Sequence, residues 1–373
     1  MLTPRSTLAR RVSAALDASP SRIPVLVGGC GSGRTTLLRQ LRERVGRQAV
    51  QHVDVERTAT TPERFLRAIT AVSPFPIADS GAAPVGARGA FDATLALLAN
   101  ARTAAGEPAT YFLDEFLELR TFESFPGLRR VLHDAIDGLT ASGNRFVLTS
   151  RYVARTLRLL RDHSARFEVI HMPGFTAEDT LDVVGMAAAA DPADAEYTAR
   201  SVQSLADGRP AYVRALADEL ALMREHGGGD VVSALASLLV ADGRLSKLCG
   251  FCYELRLHRA RGYGALKAIL EILGEDEGLT LTEISQRLHR TPGSTKDYLS
   301  WLEDVDLVTA RQKRYSFTDP VLRVWVRLHC RATAPSEDDL AREIHRYALP
   351  RLPRQEPVLV MAGGGGSGII EID

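Results

Sequence analysis

The chain has 373 residues, of which 45% are hydrophobic and 25% charged, with 46 basic and 46 acidic side chains. This composition is that of a folded globular protein, and it excludes a wholly disordered chain, a collagen and a coiled-coil rod. The formal net charge of zero excludes a uniformly basic nucleic-acid-binding surface but leaves room for a local basic patch. At roughly 100–200 residues per domain, the length predicts two or three domains.

The sequence indicates an intracellular protein. Its amino-terminal segment carries arginines and no uninterrupted apolar run, so we expect no secretory signal peptide. No stretch reaches the ~18 apolar residues needed to cross a membrane. The four cysteines are too few for a disulfide scaffold and favour a reducing compartment. We therefore expect a cytoplasmic protein with no membrane partner.

The first half of the chain alternates strands and helices. A helix is predicted over residues 6–18, a buried strand over 23–27, and a second helix over 35–45. Further strands are predicted at residues 50–55, 109–113, 145–148 and 167–171. This alternation predicts a parallel five-stranded sheet covered by helices on both faces. Residues 75–88, rich in proline, glycine and alanine, are predicted to form a loop.

After Pro173 the pattern becomes helical, with helices predicted over residues 176–225 and 231–260. A winged helix-turn-helix is predicted to follow. Its expected parts are helices over 266–273, 282–288 (with Thr282 as N-cap) and 294–304, a turn over 290–293, and strands 307–310 and 315–318 joined by 311–314.

These patterns divide the chain into five segments. The α/β nucleotide-binding core is predicted to span residues 1–172. The remaining segments are a helical lid (173–230), a helical connector (231–264), the winged helix (265–332) and a tail (333–373). We expect the tail to hold one short helix near residues 338–347, followed by a flexible linker with the sequence GGGGS.

The sequence GGCGSGRT at residues 28–35 fits the phosphate-binding pattern G-x-x-x-x-G-K-[ST] except at Arg34, where the pattern has lysine. We call these residues the phosphate loop. Backbone N–H groups of such a loop surround phosphate oxygens, and the following helix directs its positive end at the same anion. Arg34 keeps the charge but is larger and planar, so nucleotide binding is expected and the rate of hydrolysis stays open. The alternative, a simple glycine-rich turn, is disfavoured by the strand before it and the helix after it. The predicted nucleotide-binding residues here are Gly28, Gly29, Gly31, Ser32, Gly33, Arg34, Thr35 and Thr36.

The strand over 109–113 leads into the acidic pair Asp114-Glu115. Asp114, with the Thr35 hydroxyl, is predicted to hold Mg²⁺. Glu115 is predicted to orient and deprotonate the attacking water, with Arg34 as the second catalytic residue. The alternative is an acidic strand end at the surface, which the upstream phosphate loop disfavours.

Thr149, Ser150 and Arg151 follow the strand over 145–148, at the sheet edge where phosphates bind in this kind of fold. Thr149 or Ser150 is expected to sense the terminal phosphate or the lytic water, and Arg151 to neutralise phosphate charge. The alternative, in which Ser150 merely caps the next helix, stays open.

The order of these motifs resembles that of the AAA+-related P-loop ATPases of the archaeal-type and Orc/Cdc6-like group, which is close to the signalling ATPases with numerous domains. The resemblance covers about residues 20–330 and implies ATP and Mg²⁺ as cofactors, with Thr149 at the sensor position. It also implies that Arg209 and Pro210, in the sequence DGRP, lie near the nucleotide, with Arg209 as a second sensor. A simple turn between helices is the alternative for this segment. Relatives often form rings or filaments, so a homo-oligomer is a further expectation.

Arginines between Arg151 and the fifth strand are expected mostly to form a solvated helix face. The candidates for an arginine inserted into a neighbouring subunit's site are Arg166 and Arg161.

The winged helix has a small basic surface. Its third helix contains one lysine, Lys296, against three acidic residues, whereas the predicted wing tip carries Arg311, Lys313 and Arg314. Contact with double-stranded DNA and docking against a protein both stay open.

The pair Cys249 and Cys252 has the spacing of a redox motif, with His258 nearby, but lacks a matching second pair. Two buried helix cysteines are the favoured interpretation. Cys30, inside the phosphate loop, is a candidate for oxidation.

The sequence thus predicts a Mg²⁺-dependent ATP-binding and hydrolysing ATPase. Its nucleotide state would be relayed to a winged helix that contacts DNA or a protein partner. Two alternatives remain: a low-turnover switch that holds ATP as a conformational ligand, and a DNA-binding adaptor with a vestigial ATPase domain.

Overall fold

The computed structural model describes residues 4–76, 84–163, 165–185, 192–258, 260, 262–331 and 333–354. The predicted GGGGS linker and residues 77–83 of the predicted loop lie outside the described residues. None of the described helices is long and apolar enough to span a bilayer.

The first half of the chain forms a five-stranded sheet in the order β2-β3-β4-β1-β5, with every neighbouring pair parallel. This confirms the predicted sheet. The strands are β1 (Ile23–Val27), β2 (Val50–Asp54), β3 (Thr110–Asp114), β4 (Arg145–Ser150) and β5 (Phe167–His171). The helices are α1 (Pro4–Asp17), α2 (Arg34–Val45), α3 (Val55–Thr58), α4 (Pro62–Ala71), α5 (Gly86–Asn100), α6 (Val131–Ala141) and α7 (Val153–Leu160). Segments of 3₁₀ helix span Phe116–Ser124 and Arg161–His163.

Side chains alternate between the two faces of the sheet, as strand geometry requires. Leu26, Phe112 and Val147 pack with residues of α1 and α2 on one face. Val25 and Tyr111 belong to a larger cluster that includes α4–α6 and continues into the second half of the chain. Because both faces are covered, the strands read as apolar runs rather than as alternating patterns.

The second half is helical up to a three-stranded antiparallel sheet. Its helices are α8 (Ala177–Gly185), α9 (Pro192–Leu205), α10 (Pro210–Glu225), α11 (Val231–Leu239), α12 (Arg244–Leu257), α13 (Tyr263–Glu275), α14 (Leu281–Leu288), α15 (Pro292–Asp304), α16 (Pro320–His329) and α17 (Glu337–Ala348). Its strands are β6 (Leu279–Thr280), β7 (Val308–Arg311) and β8 (Arg314–Phe317). The predicted helix, helix, turn, helix and hairpin of a winged helix are all present.

Helix α5 begins at Gly86, inside the loop predicted over residues 75–88. The structure also corrects three boundaries within the winged helix. The N-cap of α14 is Thr280 rather than Thr282, because a capping box with Glu283 satisfies the free N–H groups there. Helix α15 begins at Pro292, inside the predicted turn, since proline is well suited to the first helical position. The wing turn is the pair Gln312-Lys313, both with positive φ, rather than a four-residue loop; this is the backbone of a tight hairpin.

The winged helix packs against the α/β core. The guanidinium of Arg158 on α7 forms a hydrogen bond of 3.0 Å to Asp304 at the end of α15. The backbone N–H of Ala154 donates to Oδ1 of Asp306 at 3.3 Å. On the other side, the indole N–H of Trp325 on α16 donates to Ser246 on α12 at 3.0 Å. These contacts hold the end of α15 against α7, which follows β4, and hold α16 against α12.

Candidate nucleotide site

The phosphate loop connects β1 to α2 at the carboxyl edge of the sheet. Gly31 and Gly33 adopt left-handed backbone conformations, with φ of 76° and 84°. A Cβ on Gly31 would lie 2.9 Å from that of Ala211, whose N–H donates to the carbonyl of Gly31 at 3.1 Å. Glycine is therefore needed both for the backbone angle and for the close approach of α10.

A cleft of about 460 Å³ opens between the phosphate loop and helices α10 and α12. Its lining combines predicted nucleotide-binding residues with side chains from the second half of the chain. The lining residues are Gly31, Gly33, Arg34, Thr35, Thr36, Pro210, Ala211, Arg214, Ala215, Arg244, Leu245 and Leu248. The combination of backbone N–H groups, cationic side chains and an apolar wall suits a nucleotide with its base and phosphates.

The Arg34 side chain folds back onto its own loop. Its Nη1 donates to the carbonyl oxygens of Gly28 and Gly29, the latter at 2.6 Å, and to Oγ of Ser32 at 2.8 Å. Its Nη2 donates to Oε1 of Glu115 at 2.6 Å. A lysine ammonium is a single point of charge and lacks this second arm, so the bridge from loop to Glu115 depends on arginine.

Glu115 is held between two arginines. Its Oε1 is bound by Arg34. Its Oε2 accepts a hydrogen bond from the backbone N–H of Arg151 at 3.0 Å and lies 3.1 Å from Nε of the same arginine. Burial pushes the pKa of Glu115 upward, but the charges of Arg34 and Arg151 outweigh burial and hold the pKa below its ordinary value. The carboxylate is ionised at neutral pH but a weak proton acceptor in this arrangement.

Thr149 joins the two acidic residues that end β3. Its hydroxyl donates to Oδ1 of Asp114 and accepts from the backbone N–H of Glu115 at 2.9 Å. Strand β4 lies between β1 and β3, so Thr149 stands between the phosphate loop and the acidic pair. The structure thus brings Thr149, the predicted sensor, into contact with both Asp114 and Glu115.

Asp114 and Thr35 fit a Mg²⁺ site. Burial raises the pKa of Asp114, but the nearby His52 ring and the hydroxyls of Thr149 and Thr35 outweigh burial and hold the pKa below its ordinary value. The carboxylate and the Thr35 hydroxyl therefore lie together, and both are oxygen donors of the kind Mg²⁺ prefers. His52, with Nε2 3.7 Å from Asp114, was not identified from the sequence.

Arg151 and Ser150 have different surroundings. The Arg151 guanidinium is buried and forms ion pairs with Glu115 and with Glu56, a residue on α3 that the sequence analysis did not single out. The Ser150 hydroxyl accepts from the N–H of Tyr152 at 3.1 Å and stabilises the turn. Ser150 does not cap α7, because the N-cap position there is Tyr152.

Arg209 lies against the phosphate loop, next to Pro210. A Cβ on Gly29 would lie 2.9 Å from its Nη1. The same guanidinium lies 3.4 Å from Oδ2 of Asp319 and donates to the carbonyl of Thr318 at 3.0 Å. Arg209 therefore contacts both the loop and the start of α16, a link that the DGRP sequence alone does not predict.

Helix α12 contributes a residue that sequence reasoning missed. Arg256 is 3% exposed, and a Cβ on Gly29 would lie 3.8 Å from its Nη2. No local pattern marks this arginine, because it reaches the loop only through the packing of α12.

Both elements that meet where Arg256 approaches Gly29, the phosphate loop and α12, carry cysteines. Cys249 and Cys252 are buried on α12, as predicted, and their pKa values are raised. A hydrogen bond from Cys252 and the charges of Arg256, Arg151 and Arg34 outweigh burial and lower the pKa of Cys30 to about 5. The arginines of the loop thus favour the thiolate form of Cys30.

The remaining candidates lie away from the cleft. Arg166 precedes β5 at the amino edge of the sheet, where its carbonyl accepts from Ile23, and Arg161 is exposed beyond α7. Both stay predictions for a site shared between subunits. The four predicted nucleic-acid contacts of the winged helix are all exposed: Lys296, Arg311, Lys313 and Arg314.

The carboxyl-terminal part of the chain matches the family model described as winged helix-turn-helix DNA-binding over residues 265–309. The search of curated protein sequences gave no match. Among solved structures, the Walker-type ATPase of Pyrococcus abyssi is 16% identical with a TM-score of 0.64, and the match covers 87% of this chain and 96% of that one. The Orc1 protein of Aeropyrum pernix, in complex with DNA, is 16% identical with a TM-score of 0.46, over 93% of each chain. The chain therefore shares its fold with the Walker-type ATPase of Pyrococcus abyssi, and its carboxyl-terminal part is a winged helix.

Proposed function

We propose that the chain is a Mg²⁺-dependent, ATP-binding switch with slow hydrolysis, in which the nucleotide state sets the position of the winged helix. The observation that carries the proposal is the Arg34 bridge, in which one guanidinium holds both the phosphate loop and Glu115. A residue placed to bind phosphate thus also holds the candidate base. Turnover then depends on moving this one side chain.

The residues at the sheet edge support ATP as the ligand. Phosphates have anion-binding N–H groups in the loop, and Mg²⁺ would be held by Thr35 and Asp114, where it would neutralise phosphate charge. Phosphate oxygens compete with Glu115 for Arg34, because both are anionic acceptors for the same guanidinium. When Arg34 turns to phosphate, Glu115 keeps its contacts with Arg151 and faces the terminal phosphate as a base for water.

Slow hydrolysis of ATP is favoured over rapid hydrolysis for an electrostatic reason. Glu115 has two cationic partners that lower its pKa, and a general base is most effective when its pKa is near the working pH. Hydrolysis in the isolated chain should therefore be slow, and a partner that repositions Arg34 or Arg151 would raise it.

Duplex DNA is the partner we propose for the winged helix. Three exposed cations at the wing tip, Arg311, Lys313 and Arg314, can contact phosphates, and Lys296 is exposed on α15. The end of α15 packs against α7, so its first turns and the wing remain as the accessible surface.

The test compares ATP binding and phosphate release for the wild-type chain and Glu115→Gln, with Mg²⁺ and with EDTA. We expect Mg²⁺-dependent ATP binding, slow release by the wild type, and release lowered at least about 100-fold in the variant. Equal release by the two proteins would contradict the role of Glu115. Absence of ATP binding would contradict the switch itself and favour an adaptor.

A further inference from the structure

Helix α12 lies along the phosphate loop and forms one wall of the nucleotide cleft. Leu245 and Leu248 of this helix line the cleft together with Gly31 of the loop. Farther along the helix, Cys252 and Arg256 are each 3% exposed. They are four residues apart, so they lie on the same face of α12. The helix therefore buries a thiol on the face that also carries an arginine to the loop.

The partner of Cys252 is a cysteine of the phosphate loop. Cys30 and Cys252 are not joined by a disulfide, and their side chains are hydrogen-bonded to one another. Cys249, which has the sequence spacing of a redox motif with Cys252, instead has its Sγ 3.8 Å from the hydroxyl oxygen of Tyr212. Two sulfurs in hydrogen-bond contact need only a small approach to reach the ~2 Å length of an S–S bond.

The two thiols have opposite electrostatic surroundings. A hydrogen bond from Cys252 and the charges of nearby arginines, of which Arg256 has the largest effect, outweigh burial and lower the pKa of Cys30 to about 5. The hydrogen bond with Cys30, burial and the charge of Cys30 raise the pKa of Cys252. Cys30 is half-buried, whereas Cys252 is buried. A reactive sulfur thus lies beside a protonated thiol, the arrangement typical of a peroxide-sensitive cysteine and its resolving cysteine.

We propose that Cys30 and Cys252 form a reversible disulfide when the chain meets a hydroperoxide, and that this disulfide weakens nucleotide binding. Formation of the disulfide does not depend on the proposed ATP-binding function. Its effect on ATP rests on that function.

The first step oxidises Cys30. Its thiolate sulfur attacks one oxygen of hydrogen peroxide, so that an S–O bond forms, the O–O bond breaks, and hydroxide leaves and takes a proton from solvent. Cys30 becomes a sulfenic acid, and the peroxide is reduced to water. In the second step the Cys252 sulfur attacks the Cys30 sulfur. The S–S bond forms, the S–O bond breaks, and the departing hydroxide leaves as water with the proton of Cys252.

Oxidation of Cys30 also activates Cys252. The sulfenic acid is neutral, so the negative charge that raises the pKa of Cys252 is removed. The charge of Arg256 lowers the pKa of Cys252 and remains in place. The same arginine therefore favours the thiolate of Cys30 in the first step and that of Cys252 in the second.

The disulfide joins two walls of the nucleotide cleft, the phosphate loop and α12. A nucleotide must fit between these walls, and the backbone N–H groups of the loop must adapt to its phosphates. A covalent link fixes the separation of the walls and restricts the loop, so oxidation should weaken ATP binding. Because such coupling is reciprocal, bound ATP should in turn disfavour the disulfide.

The first experiment treats the reduced wild-type chain with hydrogen peroxide, blocks the remaining thiols with N-ethylmaleimide and analyses tryptic peptides without reduction. We expect residues 23–34 linked to residues 248–256, with the loss of two hydrogen atoms, and released by dithiothreitol. Fragment-ion spectra of the linked pair locate the bond at Cys252. Absence of the linked pair, or a bond at Cys249, would overturn the proposal without any variant.

Matched variants test the same assignment. Cys249→Ala and Cys252→Ala each remove one buried sulfur from α12. The linked peptides should persist in the first variant and disappear in the second, where Cys30 should stop at a sulfenic acid that dimedone captures. Linked peptides that persist in Cys252→Ala would contradict the pairing.

ATP affinity is then measured before oxidation, after oxidation and after dithiothreitol. We expect wild-type binding to weaken by about tenfold or more on oxidation and to recover on reduction. Cys252→Ala forms no link between loop and helix and should lose less than about threefold. A disulfide with unchanged ATP affinity would overturn the effect on nucleotide binding. A reduced wild type that binds no ATP would overturn the proposed function and leave the disulfide standing.

Discussion

Nη2 of Arg34 and Oε1 of Glu115 are 2.6 Å apart, and the two side chains are only 8% and 9% exposed. One residue belongs to the phosphate loop and the other follows β3, and each was expected to act on the nucleotide. In this structure they bind one another. The pairing links phosphate binding to the release of the candidate base, and it sets the first prediction.

Replacing Arg34 with lysine should accelerate phosphate release by about tenfold. Lysine keeps a positive charge for phosphate but cannot bridge the loop and Glu115 with two arms, so the base is released more readily. Steady-state phosphate release at saturating ATP measures the effect. Arg39→Lys, at an exposed position on the same helix, is the matched control. A slower Arg34→Lys variant would show that arginine assists turnover.

Thr149→Val should lower both stability and turnover. Valine has nearly the same shape but leaves the buried N–H of Glu115 without its acceptor, which costs about 1–3 kcal/mol. We expect a lower melting temperature and about tenfold slower phosphate release, with ATP affinity changed by less than threefold. Thr149→Ser keeps the hydroxyl and should restore most of both properties. A valine variant with wild-type turnover would exclude a role for the hydroxyl in hydrolysis.

Cys30 should react as a thiolate across the neutral range. Its pKa of about 5 lies below that of an ordinary cysteine, so alkylation by iodoacetamide should change little between pH 6 and pH 8. Cys330 has a raised pKa and provides an internal comparison, because its rate should rise about tenfold per pH unit in this range. Mass spectrometry of the modified peptides measures both rates. ATP should protect Cys30, and a rate for Cys30 that rises like that of Cys330 would contradict the thiolate.

Asp306→Asn should stabilise the protein at neutral pH. Burial raises the pKa of Asp306 to about 6, above its value in the unfolded chain, so the folded state binds more protons between about pH 4 and pH 6. Stability contributed by this group is present below pH 4 and is lost as the pH rises through 6. Asparagine does not ionise, so the variant loses no stability as the pH rises. Asparagine also tolerates a left-handed backbone.

Thermal unfolding across pH 3.5 to 8 tests this prediction. The asparagine variant should exceed the wild type by an amount on the order of 1–2 kcal/mol at pH 7.5, and the two should converge at low pH. A constant difference at every pH would show that the effect is not one of protonation.

Removing the wing cations should weaken duplex DNA binding and reduce its salt dependence. With Arg311, Lys313 and Arg314 changed to alanine, the slope of log affinity against log salt should fall by about 2–3. A control variant removes three exposed arginines on α2 and just after it, namely Arg39, Arg44 and Arg47, and should leave the slope unchanged. Equal slopes for wild type and wing variant would favour a protein-docking role.

Local patterns predicted the elements well because the forces that form them act between near neighbours. The buried strands appear as short apolar runs, and the phosphate loop appears as glycines between a strand and a helix. Errors were confined to boundaries such as Thr280 against Thr282, where several residues can cap a helix and backbone geometry decides among them.

The sequence by itself determined that a phosphate loop, an acidic strand end and a winged helix occur in this order. Only the tertiary structure decided how they are connected. The Arg34 side chain could bind either phosphate or carboxylate. In the folded sheet only β4 separates β1 from β3, so Glu115, which follows β3, lies within reach of Arg34, which follows β1, and becomes its partner. Arg256 carries no sequence signal, because its meeting with Gly29 requires α12 to pack over the loop. Charges act through space over a few ångströms, and distances between residues far apart in sequence are set only by the packed core.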